Sequence, residues 1–293
     1  MIMKTIQKFL MALRITEQTI YLTPYFFGIL ASGYRQHTNI YIVALGLAAL
    51  GLAAFITNEY VDSFDTDKEN KRKSAPMDFS QNKLPITIIF ILLTIAGSII
   101  FIFYGLIFQL LLLYLFGFFY SFPPLRFKGR FPWDIIAPSI SCGLVPYSIG
   151  FAFVGSSYGA MLTAAFAVLI CAYFCFQGIH EVIDLEADKR GGLTTWATVL
   201  GYRSYLRILE MVAILGLLIS GYMLYKHESW WLYPVVVVLI YQVLVIGYIR
   251  AAVYQPGLER LHKLGKRAFK LGAVALTLIL IFQIWALYQP LTY

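Results

Sequence analysis

The sequence contains few charged residues for its length. Only 13% of its 293 residues are Asp, Glu, Lys or Arg, whereas a soluble domain carries roughly 25%. This chain cannot cover its surface with charge, which excludes an ordinary soluble globular protein. Cysteine is also scarce: Cys142, Cys171 and Cys175 lie in apolar stretches where no His or further Cys completes a metal site. We interpret them as small buried packing residues.

Long hydrophobic stretches take the place of charge, since 60% of the residues are hydrophobic and 17% are aromatic. A membrane helix needs roughly 20 mostly apolar residues, and about nine such stretches are present. They cover approximately residues 15–34, 39–57, 85–103, 105–121, 134–154, 158–180, 205–225, 230–252 and 268–289. The sequence therefore predicts an all-α polytopic membrane protein with about nine transmembrane helices.

The distribution of basic residues orients these predicted helices. With a cytoplasmic N-terminus, 21 of the 23 Lys and Arg residues fall in cytoplasmic segments, and only Arg35 and Lys226 fall outside. Eight spans would put basic loops on both sides of the membrane. The same bias explains the net charge of +8 without a nucleic-acid partner, because the basic residues form no separate domain. No cleavable leader is evident, so we expect a prokaryotic plasma membrane protein.

Acidic residues concentrate at the predicted cytoplasmic ends of the second and sixth spans, which together hold ten of the fifteen. In the first cluster, Asn58, Asp62 and Asp65 share one helical stripe. Asp67 joins that stripe only if the helix bends or ends there. The second cluster forms a longer stripe of Gln177, Glu181, Asp184 and Asp188.

Like charges on one stripe repel each other, and the negative end of the helix dipole adds to the repulsion. Carboxylate and Asn oxygens are ligands that Mg²⁺ prefers, and Mg²⁺ keeps positions open for water and substrate phosphates. Two such clusters therefore indicate a diphosphate bound between them. The alternative is that both are solvated helix ends, which explains one cluster better than two in equivalent places.

A short basic loop connects the fourth and fifth predicted spans. The dipeptide Pro123-Pro124 stiffens its start, and alternating cations follow. These cations either signal membrane topology or stabilise a departing diphosphate. The candidates for the second role, including two cations after the second acidic cluster, are Arg126, Lys128, Lys189 and Arg190.

The two acidic motifs and their places resemble the UbiA superfamily of intramembrane prenyltransferases. Members of that family have nine transmembrane helices around a central cavity, an NDxxDxxxD motif after the second helix and a DxxxD motif after the sixth. Asn58 and Asp62 match the first motif, and Asp184 and Asp188 match the second. Glu181 fits the acidic position that often precedes the second motif.

The resemblance covers nearly the whole chain, with departures in the first motif. Glu59 replaces the usual Asp and Thr66 stands where the last Asp is expected, so either Asp65 or Asp67 supplies the third carboxylate. Further matches to the family pattern are Arg14, Pro24, Tyr120, Gly192, Thr195 and Gly201.

The resemblance implies Mg²⁺-dependent transfer of a prenyl group from a polyprenyl diphosphate to a lipophilic acceptor within the membrane. It implies one transmembrane domain over residues 1–293, with cytoplasmic motif loops at about 58–84, 121–133 and 181–204. The implied catalytic residues are Asp62, Asp184 and Asp188. The implied metal ligands are Asn58, Asp62, Asp65, Asp67, Glu181, Asp184 and Asp188. The implied diphosphate-binding residues are Arg72, Tyr120, Arg126, Lys128, Lys189 and Arg190.

The acceptor and two rival functions are open at this point. The segment 131–134, Phe-Pro-Trp-Asp, resembles the branch of the family that acts on carotenoid ends, whereas other branches use aromatic quinone precursors. His180 is either a base for the acceptor or a structural residue. A terpene cyclase would use the same ionisation on the prenyl diphosphate alone. A transporter predicts charges near the membrane midplane, whereas these acids cluster at one surface.

Overall fold

The computed structural model describes residues 18–32, 38–64, 83–152, 159–226, 233–254 and 258–288. In these ranges the secondary structure is helical, and the one isolated β-bridge joins Arg130 to Thr194. The α-helices in chain order are α1 Thr19–Ala31, α2 Thr38–Phe64, α3 Lys83–Phe103, α4 Ile107–Leu113, α5 Phe119–Ser121, α6 Trp133–Pro138, α7 Val145–Ala152, α8 Gly159–Arg190, α9 Trp196–Leu200, α10 Tyr202–Lys226, α11 Tyr233–Tyr254 and α12 Leu258–Leu287.

Helices lie wherever the sequence predicts a membrane span, so the all-α class is confirmed. Four of the described helical segments are long and apolar enough to cross a membrane by length and composition, and a fifth counts if the two parts of α8, bent by 55°, form one span. The remaining predicted spans contain shorter apolar helices. The total of nine spans and the cytoplasmic N-terminus stay predictions.

Many large apolar side chains of the described helices are exposed, as expected for helices that face lipid. In the most apolar part of α3 only 17% of the residues are buried, whereas in the most apolar part of α2 56% are buried. Large side chains such as Leu84, Phe103 and Phe108 are exposed. Exposed apolar surface of this extent is unusual in a soluble monomer, and burial in lipid accounts for it.

Close glycine contacts fix α1 against α7. A Cβ atom at Gly28 would lie 2.3 Å from the carbonyl oxygen of Tyr147, and one at Gly150 would lie 2.0 Å from that of Tyr25. No side chain fits at either position, and membrane helices commonly use small residues to approach this closely. The Tyr25 hydroxyl then donates to the Ile40 carbonyl at 2.7 Å. The three helices α1, α2 and α7 are thereby held together.

Two π-helical segments interrupt the described helices. Tyr114–Phe118 connects α4 to α5, and Ser139–Leu144 connects α6 to α7. An inserted π turn shifts the helix face that follows it and is frequent at functional sites. Gly117 comes from the first segment and Ser141 and Cys142 come from the second, and all three line the same cavity.

Candidate active site

A cavity of about 240 Å³ opens between α1, α2, α8 and the two π-helical segments. Its wall changes character along α8, from Tyr173 and Phe176 through Gln177 to Asp184 and Asp188. At 1.5 Å per residue this stretch of helix covers roughly 20 Å. The lining residues are Ile20, Tyr21, Ala54, Phe55, Asn58, Gly117, Tyr120, Ser121, Lys128, Pro138, Ser141, Cys142, Tyr173, Phe176, Gln177, His180, Glu181, Asp184 and Asp188.

The first acidic motif contributes Asn58 to this cavity. The Asn58 side-chain oxygen accepts hydrogen bonds from the Ser121 hydroxyl at 2.8 Å and from the Lys128 ammonium at 3.4 Å. The basic loop and the first motif therefore meet at one point. Asp62 lies within α2, but its side chain is outside the described residues. The same holds for the whole of Arg14, Asp65, Asp67 and Arg72.

The second acidic motif supplies Glu181, Asp184 and Asp188 to the cavity wall. Glu186, on the same stretch of helix, is absent from the described lining and forms an ion pair with Lys189 at 3.6 Å. The spacing of the second stripe thus separates the acids that line the cavity from the one that does not.

Of the described residues predicted to bind diphosphate, some line the cavity and others do not. Lys128 and Tyr120 line the cavity, and the Tyr120 hydroxyl accepts a hydrogen bond from the Gln177 amide at 3.1 Å. Arg126, Lys189 and Arg190 are outside the described lining. The Arg190 guanidinium donates to the Glu186 carbonyl at 3.1 Å. The structure therefore gathers Tyr120 and Lys128 beside the acidic motifs and leaves these three cations apart.

The loop before α6 and the loop before α9 are joined by hydrogen bonds. The Phe131 backbone N–H donates to the Thr194 carbonyl at 2.6 Å, and the Thr194 N–H donates to the Gly129 carbonyl at 3.2 Å. The Trp196 indole N–H donates to the Pro132 carbonyl at 3.1 Å. These contacts hold the loop that carries Lys128 against the loop that follows the second motif. Sequence patterns gave no sign of this pairing.

A buried acid, Asp134, provides a further contact between the two loops. It is 0% exposed, and one of its carboxylate oxygens accepts the Trp196 backbone N–H at 2.7 Å. The carboxyl group of Glu181, only 5% exposed, and the hydroxyl of Tyr205 lie beside it. Asp134 is the first residue of the predicted fifth span. An acid that adjoins a long apolar stretch is unusual, and this is the signal that could mark it from sequence as a structural or functional residue.

Two substitutions of Asp134 separate the effect of its hydrogen bond to Trp196 from the effect of its negative charge beside Glu181. We expect Asp134→Leu to lower the melting temperature of the detergent-solubilised protein, because a buried N–H without an acceptor costs about 1–3 kcal/mol. Asp134→Asn keeps an acceptor for Trp196 and removes one of two adjacent carboxyl groups, so it should retain the wild-type melting temperature or exceed it. Equal losses in both variants would contradict the assigned role of the Trp196 hydrogen bond.

The second motif fits a Mg²⁺ ion that is shared with a substrate. Among the described residues, no group of three or more His, Cys, Asp or Glu side chains is arranged to hold a metal alone. Mg²⁺ does not require one, since it is usually bound by one or two carboxylates together with phosphates and water. Asp184 and Asp188 lie one turn apart on the cavity wall. Both oxygens of Glu181 are buried, beside the Asp134 carboxyl group and the Tyr205 hydroxyl.

Comparison with known proteins gives a consistent family. Solved structures of UbiA homologues from Archaeoglobus fulgidus, bound to GPP and Mg²⁺, and from Aeropyrum pernix K1, without ligand, align with TM-scores of 0.68 and 0.69 at 16% and 18% identity. Both alignments cover 92% of this chain, and they cover 99% and 98% of the respective homologue. A digeranylgeranylglyceryl phosphate synthase aligns over 96% of this chain and 99% of its own, at 16% identity and a TM-score of 0.65.

These structural similarities establish the fold, and the sequence match establishes the family. No curated protein matches the chain. The model of the UbiA prenyltransferase family matches residues 21–257, well over half of the sequence. The chain therefore belongs to the UbiA prenyltransferase family.

Proposed function

We propose that this protein transfers a prenyl group from a polyprenyl diphosphate to a lipophilic acceptor in a Mg²⁺-dependent reaction. The observation that carries the proposal is one cavity lined by Lys128, Asp184 and Asp188 together with aromatic side chains. A prenyl diphosphate has the same division between an anionic head and an apolar tail. The A. fulgidus homologue bound to GPP and Mg²⁺ supports this assignment.

The acidic and basic residues of the cavity would hold the diphosphate. Asp184 and Asp188, with Asn58 from the first motif, are the residues assigned to Mg²⁺, which when bound supplies positive charge to the leaving group. Lys128 adds a second positive charge on the side of the cavity formed by the basic loop. Charge placed where negative charge develops lowers the barrier to departure.

Cleavage of the bond between C1 of the prenyl group and the diphosphate oxygen leaves the electron pair on the diphosphate. The remaining allylic cation needs stabilisation without water. The rings of Tyr21, Phe55 and Phe176 line the cavity, and aromatic faces attract cations. An apolar wall also excludes the water that would otherwise capture the cation.

The acceptor attacks C1 with a pair of electrons, forms the new bond and then releases a proton. His180 lines the cavity and contacts the ring of Phe176 edge-on at 6.0 Å between ring centroids. We assign His180 as the acceptor of that proton. A carotenoid or other isoprenoid end and an aromatic quinone precursor both meet this chemistry, because each offers a π bond as the nucleophile. We propose that the reaction takes place at the cytoplasmic surface of a prokaryotic plasma membrane.

The decisive experiment is to measure diphosphate release by the purified protein. Geranyl, farnesyl and geranylgeranyl diphosphate would each be supplied with Mg²⁺ or with EDTA, with and without extracted membrane lipids. Mg²⁺-dependent release that requires the lipids, with a new lipid-soluble product, is the expected result. Release of a cyclic hydrocarbon without lipids would instead identify a terpene cyclase, and no release from any donor would overturn the proposal.

A further inference from the structure

A turn at the end of α8 leads from the second acidic motif to the basic loop. Gly192 has a positive φ of 67°, a conformation that glycine adopts without strain. Its N–H donates to the Lys189 carbonyl at 3.2 Å, and the Leu193 N–H donates to the Asp188 carbonyl at 3.0 Å. The backbone of Asp188 is therefore bonded directly to the start of the loop, and Thr194 follows as the next residue.

Thr194 binds the basic loop through both its backbone and its side chain. Its N–H and its hydroxyl both donate to the Gly129 carbonyl, at 3.2 and 2.8 Å, and its own carbonyl accepts the Phe131 N–H. A Cβ atom at Gly129 would lie 2.8 Å from Cδ2 of Leu193, so the two loops also touch closely there. Residues 129–131 are therefore fixed at several points to the loop that follows the second motif.

Lys128 directly precedes this fixed segment. Its ammonium lines the cavity and lies 3.4 Å from the Asn58 oxygen. A lysine side chain has a flexible four-carbon stem, so a fixed backbone limits the positions that the ammonium can reach. Thr194 itself is exposed and is not among the described residues that line the cavity. An influence of Thr194 on a bound ligand must therefore pass through a neighbour, and Lys128 adjoins the carbonyl that Thr194 binds.

We propose that Thr194 is a positioning residue whose side-chain hydrogen bond to Gly129 places the Lys128 ammonium for contact with the diphosphate. This inference rests on the proposed function and adds to it a residue that acts on the substrate through Lys128. The attraction between two charges weakens with distance, so an ammonium that is less well placed binds the diphosphate less tightly. The Thr194 hydroxyl is the part of this contact that a substitution can remove while the backbone pairing stays.

The test measures the dissociation constants of unreactive thiolodiphosphate analogues of geranyl and geranylgeranyl diphosphate. Thr194→Val keeps the shape of the side chain and removes the hydroxyl, so it should weaken binding by about threefold to tenfold, as expected for one hydrogen bond. The loss should be equal for the two analogues, because it concerns the diphosphate that they share. Thr194→Ser keeps the hydroxyl and should bind like the wild type. Thr87→Val, at an exposed position on α3, is the matched control and should also bind like the wild type.

A double variant tests whether the effect passes through Lys128. In a Lys128→Met background, Thr194→Val should cause no further loss of affinity, because two residues that act as a unit are not additive. An equal loss in both backgrounds, or wild-type affinity of the Thr194→Val single variant, would overturn the inference. A wild type that binds neither analogue would overturn the proposed function and this inference with it. A wild type that shows the expected coupling but releases no diphosphate from the true donors would support the positioning role and count against the proposed function alone.

Discussion

Asp184→Asn is expected to reduce Mg²⁺-dependent diphosphate release by about two to three orders of magnitude, the usual effect of losing one charge-stabilising group. Asp184 lines the cavity one helical turn before Asp188, so the substitution removes a negative ligand from the place assigned to Mg²⁺. The amide keeps the size of the side chain, and Asp184 is exposed. Folding should therefore change little. Release at saturating Mg²⁺ and at limiting Mg²⁺ is the measurement.

Glu186→Gln is the matched control for this prediction. Glu186 is an acid on the same helix, only two residues away, but it is exposed and pairs with Lys189 outside the described lining. The control variant should retain wild-type activity, because an exposed ion pair contributes at most about 1 kcal/mol. A partial recovery of Asp184→Asn at high Mg²⁺ would support the metal role directly. Full activity of Asp184→Asn at limiting Mg²⁺ would remove Asp184 from the metal site.

Hydropathy predicted where helices lie but not where they end. The second predicted span stops at residue 57, whereas α2 continues to Phe64, and the sixth stops at residue 180, whereas α8 continues to Arg190. Polar residues past the apolar stretch are invisible to a hydrophobicity criterion, although they keep the helical backbone. These extensions carry the acidic motifs, so helical spacing still identified the stripe of Glu181, Asp184 and Asp188.

The parts of the site that escaped prediction depend on contacts between distant segments. The Asp134 hydrogen bond to Trp196 spans 62 residues in sequence, and the pairing of Phe131 with Thr194 joins the same two loops. Neither has a local periodicity that a sequence pattern could reveal. The π-helical segments also escaped, because an extra residue in a turn leaves the apolar composition unchanged. By contrast, charge alone sufficed to select Lys128 as a candidate, and only packing distinguished it from Arg126.

Lys128→Met is expected to weaken binding of an unreactive prenyl thiolodiphosphate by about tenfold to a hundredfold, because a hydrogen bond to a charged group contributes about 1.5–3 kcal/mol. The Lys128 ammonium lines the cavity and lies 3.4 Å from the Asn58 oxygen. Methionine keeps the unbranched shape and most of the length of the side chain, and it removes the charge. The dissociation constant, measured with and without Mg²⁺, reports the loss independently of the chemical step.

Lys189→Met is the control for Lys128→Met, and it separates electrostatic contact from net charge. Both variants lower the charge of the protein equally, but Lys189 is exposed and pairs with Glu186 at 3.6 Å. If Lys128 contacts the diphosphate, its variant alone loses affinity, and Lys128→Arg recovers part of it because the positive charge returns. If both Met variants lose affinity equally, a diffuse positive potential attracts the substrate. If neither variant loses affinity, the basic loop serves membrane topology, and the diphosphate must be held by the acidic motifs and Mg²⁺ without it.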